Sequence, residues 1–167
     1  ERLRDACPGV RDRAMIEFLY STGVRVSEMA ALDVKDIEMG RQELIVYGKG
    51  SKERKTYLTD SAKFYLKRYL KDRNAQDFEP LFGAEHYPDR RLTVAGIQYM
   101  LRQLGKRAGV EKTHPHRFRR TIATDLLARG MPIEQVKEFL GHEKLDTTLI
   151  YCTVKEEQVK ASHRKYA

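Results

Sequence analysis

Between Asp33 and Leu58 the chain leaves the helical spacing that governs the rest of it. DIEM, ELIVYG and KTYL are short extended runs, parted by GR and by GKGSKER. Runs of this length, rich in β-branched and aromatic residues and bounded by glycine and charge, read as a small antiparallel meander. The fold class expected is therefore mainly α with a small antiparallel β-sheet, an α+β domain.

The flanking segments carry helix signals. Val10 to Ser21 holds Ala14, Ile16, Phe18 and Leu19 among charges, and Val26 to Leu32 reads as a second, short helix. Thr59 or Asp60 caps a helix to about Arg73, with Phe64, Leu66 and Leu70 inside it. Loop material with Pro80, Gly83 and Pro88 runs to Leu92. Thr93 then caps a long helix with Val94, Ile97, Leu101, Leu104 and Ala108 at helical spacing, and Gly109 stops it. Pro115 suits the first turn of a helix to about Arg129, ended by Gly130. Pro132 starts another that Gly141 stops, and Asp146 caps a short one through Tyr151. The tail from Lys155 to Ala167 is polar and weakly helical. No internal repeat or low-complexity segment divides the chain, so one domain is expected.

Charge narrows the class of partner. The net charge of +8 and the pI of about 9.5 favour a polyanion, nucleic acid first. Mean hydropathy is −0.64, and no apolar run approaches the roughly 18 residues of a membrane span, so no membrane partner is expected. Cys7 and Cys152 lie far apart, outside any CxxC pair, which gives no zinc site or disulfide framework and a reducing, cytoplasmic setting. The chain opens on Glu1 rather than Met, as expected of a piece of a longer protein.

Residues 113–124, THPHRFRRTIAT, do not fit a bland helix. On a helical wheel Phe118, Ile122, Ala123, Leu126 and Leu127 form an apolar arc, and Arg117, Arg120, Thr124 and Ala128 fall opposite. His116 and Arg119 fall within the arc, at its N-terminal end. A buried guanidinium is costly unless an anion pairs with it, either an internal carboxylate or a ligand. Elsewhere, Arg25 sits in a turn after Gly23, where Ser27 and Glu28 can help cap the following helix. Lys49 lies between Gly48 and Gly50 at a hairpin tip, where glycines allow close approach of a partner. His142 follows the helix-stopping Gly141, and Tyr151 comes nine residues later. Each signal alone fits a solvated charge or a half-buried structural side chain.

Their order and spacing are specific. Arg25, Lys49, HxxR as His116 and Arg119, then His142 and Tyr151, set in TGVRVSE, GKGSKER, HPHRFRRTIATDLLARG and LGHEKLDTTLIY, resemble the tyrosine recombinase (phage integrase) family. The likeness runs from about residue 10 to the tail and is strongest to the catalytic domains of Xer-type or mobile-element integrases. It implies a catalytic domain over 1–151, a tail over 152–167 that can dock on a neighbouring subunit, and an N-terminal core-binding domain with no counterpart here. Two departures are Arg120, where the family often has His, and Cys152 beside the tyrosine.

The chemistry implied is site-specific cleavage and rejoining of double-stranded DNA without metal or other cofactor. Arg25 and Arg119 offer planar forks of donors to the scissile phosphate, whose charge grows in the transition state. Tyr151 is the implied nucleophile, forming a 3′-phosphotyrosyl link. Only about one phenol in a thousand is ionised at pH 7, a handicap of roughly 4 kcal/mol that nearby cations and a base offset. The resemblance makes His116 the proton acceptor, His142 a transition-state donor and Lys49 the general acid. Strand exchange implies self-association on DNA, a tetramer in synapsis and a monomer alone. Arg90, Arg91, Lys112, Arg117 and Arg120 are expected on the DNA backbone, with salt-dependent binding.

Two other functions use parts of the same pattern. A type IB topoisomerase shares the chemistry but rejoins the same strand alone. A non-catalytic DNA-binding module would use the helix-turn-helix-like DLLARGMPIEQVKEFLG, but would not need Arg25, Lys49, His116, His142 and Tyr151 together. A phosphatase or small-molecule phosphotransferase fits the charge pattern poorly.

Overall fold

A computed structural model describes residues 1–48 and 53–141. In chain order these form α1 (Arg2–Asp5), α2 (Val10–Thr22), α3 (Val26–Ala31), a 3-10 turn (Val34–Asp36), β1 (Ile37–Glu38), β2 (Glu43–Tyr47), β3 (Glu53–Tyr57), α4 (Asp60–Asp72), α5 (Val94–Ala108), α6 (Pro115–Ala128) and α7 (Ile133–Leu140). Lys49, His142, Tyr151, Cys152, the short helix expected from Asp146 and the tail lie outside the described residues.

The expected meander is present. β1, β2 and β3 pair antiparallel in chain order, with Leu44 opposite Thr56 and Val46 opposite Arg54. Period-2 alternation puts Leu44, Val46 and Thr56 inward, and leaves Ile45, Tyr47 and Tyr57 exposed on the other face.

Helix ends follow the sequence closely. The Thr59 hydroxyl accepts from the Ala62 amide and Thr93 from Gly96, each relieving one of the unpaired donors of a first turn. Gly109 and Gly141 end α5 and α7 in the left-handed conformation. In α4 the buried stripe is Ala62, Leu66 and Tyr69, and Phe64 is 59% exposed. The short α1 was not expected; Leu3 packs on the main core, and Arg4 ties it to the buried Glu17.

α2 is the central post. Ala14, Met15, Ile16, Phe18 and Leu19 are at most 2% exposed, so the helix is buried nearly all round, chiefly against α4 and α6. Each large apolar side chain so buried is worth about 1.5–3 kcal/mol. A smaller cluster of Ile122, Ala123, Val136 and Leu140 joins α6 to α7. Tyr20 packs on both clusters, and its hydroxyl donates to Asp125 at 2.6 Å. This seam fixes the α6–α7 pair against α2, and the candidate site lies at its edge.

Candidate active site

The carbonyls of Phe139, Leu140 and Gly141 each take a hydrogen bond from an arginine of a different element. Arg54 of β3 donates Nε to Phe139 O at 3.1 Å. Arg119 of α6 donates to Leu140 O. Arg25, the N-cap of α3, donates Nη2 to Gly141 O at 3.1 Å. Carbonyls at a helix C-terminus lack partners within the helix and carry the negative end of its dipole, so they favour cations.

Two glycines make this approach feasible. Gly141 has φ +64°, and a Cβ there would come within 2.7 Å of Arg54 Cδ. Gly23 has φ +58°, and a Cβ there would come within 2.9 Å of Leu140 Cδ2. A side chain at either would be strained and would push α7 away from the arginines.

Arg119 is 4% exposed, as its place in the apolar arc of α6 required. It also donates to Gly23 O. Its inward direction is therefore served in part by chain carbonyls at the turn before Arg25 and at the end of α7. His116 departs from the wheel: it is exposed, although Pro115, Phe118 and Arg119 around it in α6 are buried. Its ring lies 6.4 Å from that of His114, and both line an open groove of about 980 Å³. Val26, Arg102, Lys106, Glu111 and Lys112 line the same groove, so His116 stands on a cleft that carries more cations than anions and reaches the start of α3.

Glu28 organises the arginines. It is 6% exposed. Arg54 grips it with both terminal nitrogens, at 2.7 and 2.8 Å. Arg25 donates its backbone amide at 2.7 Å and its side chain at 2.9 Å to the two oxygens of the same carboxylate. Burial alone would raise the Glu28 carboxyl, but the hydrogen bonds and charge of Arg54 and Arg25 outweigh it and hold the group below its ordinary value. The Arg25 side chain is 36% exposed, far more than that of Arg54 at 8%.

The residues expected on a DNA backbone divide. Lys112, Arg117 and Arg120 are exposed on or beside the first turns of α6, though Arg117 also donates to Glu111 O. Arg91 is turned to its own chain, donating to Ala30 O, Leu32 O and Asp33 at the end of α3. Arg90 stacks on the Tyr87 ring at 4.7 Å. Lys49, His142 and Tyr151 lie outside the described residues, so the geometry brought together is that of Arg25, Arg119 and the nearby His116.

The sequence marks Glu28 only as a cap, and Arg54 only as the end of the charged GKGSKER run. No periodicity marks either. The available signal was the capping-box spacing of Arg25 and Glu28, which places a carboxylate one turn from a guanidinium. Among the described residues no group of three or more His, Cys, Asp or Glu could hold a metal ion, and no helix is long and apolar enough to cross a membrane.

The phage integrase family model matches residues 1–158. The chain is 43% identical over 159 residues to tyrosine recombinase XerC of Leptospira interrogans, covering 93% of this chain and 50% of that protein. It is 40% identical over 166 residues to tyrosine recombinase XerD of Oceanobacillus iheyensis, covering 94% and 54%. The crystal structure of XerA recombinase superposes with a TM-score of 0.84 at 29% identity, covering 99% of this chain and 61% of that one. The chain thus spans about half the length of the curated relatives it matches.

Proposed function

The chain belongs to the phage integrase family of tyrosine recombinases, and from that premise we propose that it carries the catalytic half of a site-specific DNA recombinase. Residues 1–151 form the catalytic domain and 152–167 a tail for subunit exchange. The protein acts on double-stranded DNA in the cytoplasm, as a monomer alone and a tetramer in synapsis. The observation that carries this reading is the convergence of Arg25 and Arg119 on the end of α7, ten residues before Tyr151 in sequence.

The step is an in-line exchange at phosphorus. The Tyr151 phenol oxygen attacks the scissile phosphate and its proton passes to His116. The bond from phosphorus to the 5′ oxygen breaks, and Lys49 protonates that oxygen as it leaves. A 3′-phosphotyrosyl ester and a free 5′-hydroxyl result, and the bond energy is kept for rejoining. Arg25, Arg119 and His142 donate to the non-bridging oxygens as their charge grows. Removal of one such preorganised donor costs about 3–4 kcal/mol of barrier. Attack by the 5′-hydroxyl of a second duplex gives exchange, and the tail couples neighbouring tyrosines.

The relatives are named as recombinases, which does not favour a lone relaxing enzyme or a non-catalytic binder. The test is a reaction of two differently labelled duplexes bearing the cleaved site. Products carrying both labels support recombination. Relaxation of a supercoiled plasmid without any joint product would replace this reading with the topoisomerase one.

A further inference from the structure

We propose that Arg54, which no step above uses, is a positioning residue for Arg25, and this rests on the recombinase reading of the site. Glu28 is shared between the two guanidinium groups. Arg54 occupies it bidentately from β3, while Arg25 holds it from the N-cap of α3. Arg54 also reaches Phe139 O, two residues before the Gly141 carbonyl that receives Arg25. A single side chain thus joins three elements at the point where Arg25 is aimed.

The environment gives this link rigidity. The side chains of Arg54 and Glu28 are 8% and 3% exposed, so neither end has solvent to fall back on. Planar fork-to-carboxylate pairing fixes direction as well as distance, which a lysine point charge does not. Arg25 by itself holds each Glu28 oxygen through one bond, from its backbone amide and from a single Nη. Bidentate Arg54 adds a second bond to each oxygen and so stiffens the carboxylate against which the Arg25 fork is aimed. Gly141 leaves room for the Arg54 stem, since any Cβ there would strike it. Arg54 also lies five residues after Lys49 in sequence, and the same anchor ties β3 to the Arg25 turn.

The experiment combines single-turnover cleavage of a nicked duplex, equilibrium DNA binding and ¹⁵N NMR of arginine side chains. The expected result for Arg54→Lys is a folded protein with DNA affinity within about threefold of the parent. Its cleavage rate falls about 10²-fold, the scale of an ångström of misplacement at a reacting centre. In the parent the Arg25 Nη protons are resolved by hindered rotation, and in the variant they average while those of Arg119 do not. Glu28→Gln combined with Arg54→Lys is no slower than the slower single variant, since the two act as one unit. If an active parent is matched within threefold by Arg54→Lys, Arg54 is a strut of the fold and the positioning role is overturned. A parent that never forms a covalent adduct overturns the recombinase reading, and this role with it. Should Arg54→Lys fail to fold, the parent spectrum decides: a freely rotating Arg25 fork overturns the proposal, and a locked one supports it.

Discussion

Arg25 and Arg119 place their guanidinium groups on adjacent carbonyls, those of Gly141 and Leu140. They come from neighbouring elements, one from the turn after α2 and one from α6, and Arg119 also donates to Gly23 O in that turn. Their burial differs, and so do the consequences of losing them.

Arg119→Ala leaves Gly23 O and Leu140 O without this donor in a buried setting. A buried acceptor that loses its partner costs about 1–3 kcal/mol, so a loss of roughly 3 kcal/mol is expected. Arg25→Ala removes a half-exposed side chain while Arg54 still pairs Glu28, so stability falls by about 1 kcal/mol or less. Urea denaturation of the two variants measures this contrast. Both lose cleavage by about 10²–10³-fold.

Glu28 supplies a pH signature. Its carboxyl is held below the ordinary value of 4.5, so the unfolded chain takes up the proton first as pH falls. The stabilisation is complete above about 4.5 and is lost as pH drops through the depressed folded value. Glu28→Gln leaves Arg54 buried without its anion and costs roughly 3 kcal/mol at pH 7. Urea midpoints recorded from neutral to acid pH should show the gap between parent and variant closing at the acid end. A gap that widens there contradicts the assignment.

Gly141→Ala meets two obstacles, a φ of +64° and a Cβ only 2.7 Å from Arg54 Cδ. The backbone conformation alone costs about 1–2 kcal/mol. Calorimetry should show a lowered Tm. Gly109→Ala, where φ is +62° with nothing near the added Cβ, should show the smaller drop.

How far these relationships could be read from residues alone depends on their range. Thr59, Thr93, Gly109 and Gly141 announce helix ends because caps act over three or four residues. The strands are equally local. Arg119 was placed inward by the period of α6, and the order of Arg25, Lys49, His116, Arg119, His142 and Tyr151 pointed to one family. The pairing of Glu28 with Arg54 depends on β3 packing beside α3, and no local pattern encodes that. His116 shares the phase of the apolar arc yet lines the open groove, because phase around a helix does not say which neighbours cover a given position.

Cys7 should be a poor nucleophile. Burial, with the charge of Asp12, pushes its thiol up to about 11, leaving very little thiolate at pH 8. A Cys152→Ser protein should therefore react with a disulfide reagent far more slowly when folded than in urea. Equal rates would contradict the burial of Cys7.

DNA contacts through Arg117 and Arg120 should be to phosphates. Each of Arg117→Gln and Arg120→Gln should reduce the slope of log affinity against log salt by about one, with little change in sequence preference. Unchanged slopes would place both side chains off the DNA.

The most direct test is covalent capture. The protein is incubated with a pool of nicked random-sequence duplexes, denatured, and separated by electrophoresis. The expected result is a protein–DNA band for the parent, enriched for one sequence, absent from Tyr151→Phe and weakened at least about 10²-fold in Arg25→Ala. A band of equal strength in Tyr151→Phe, or no band from any sequence with the parent, would contradict the proposal that these arginines hold a phosphate for that phenol.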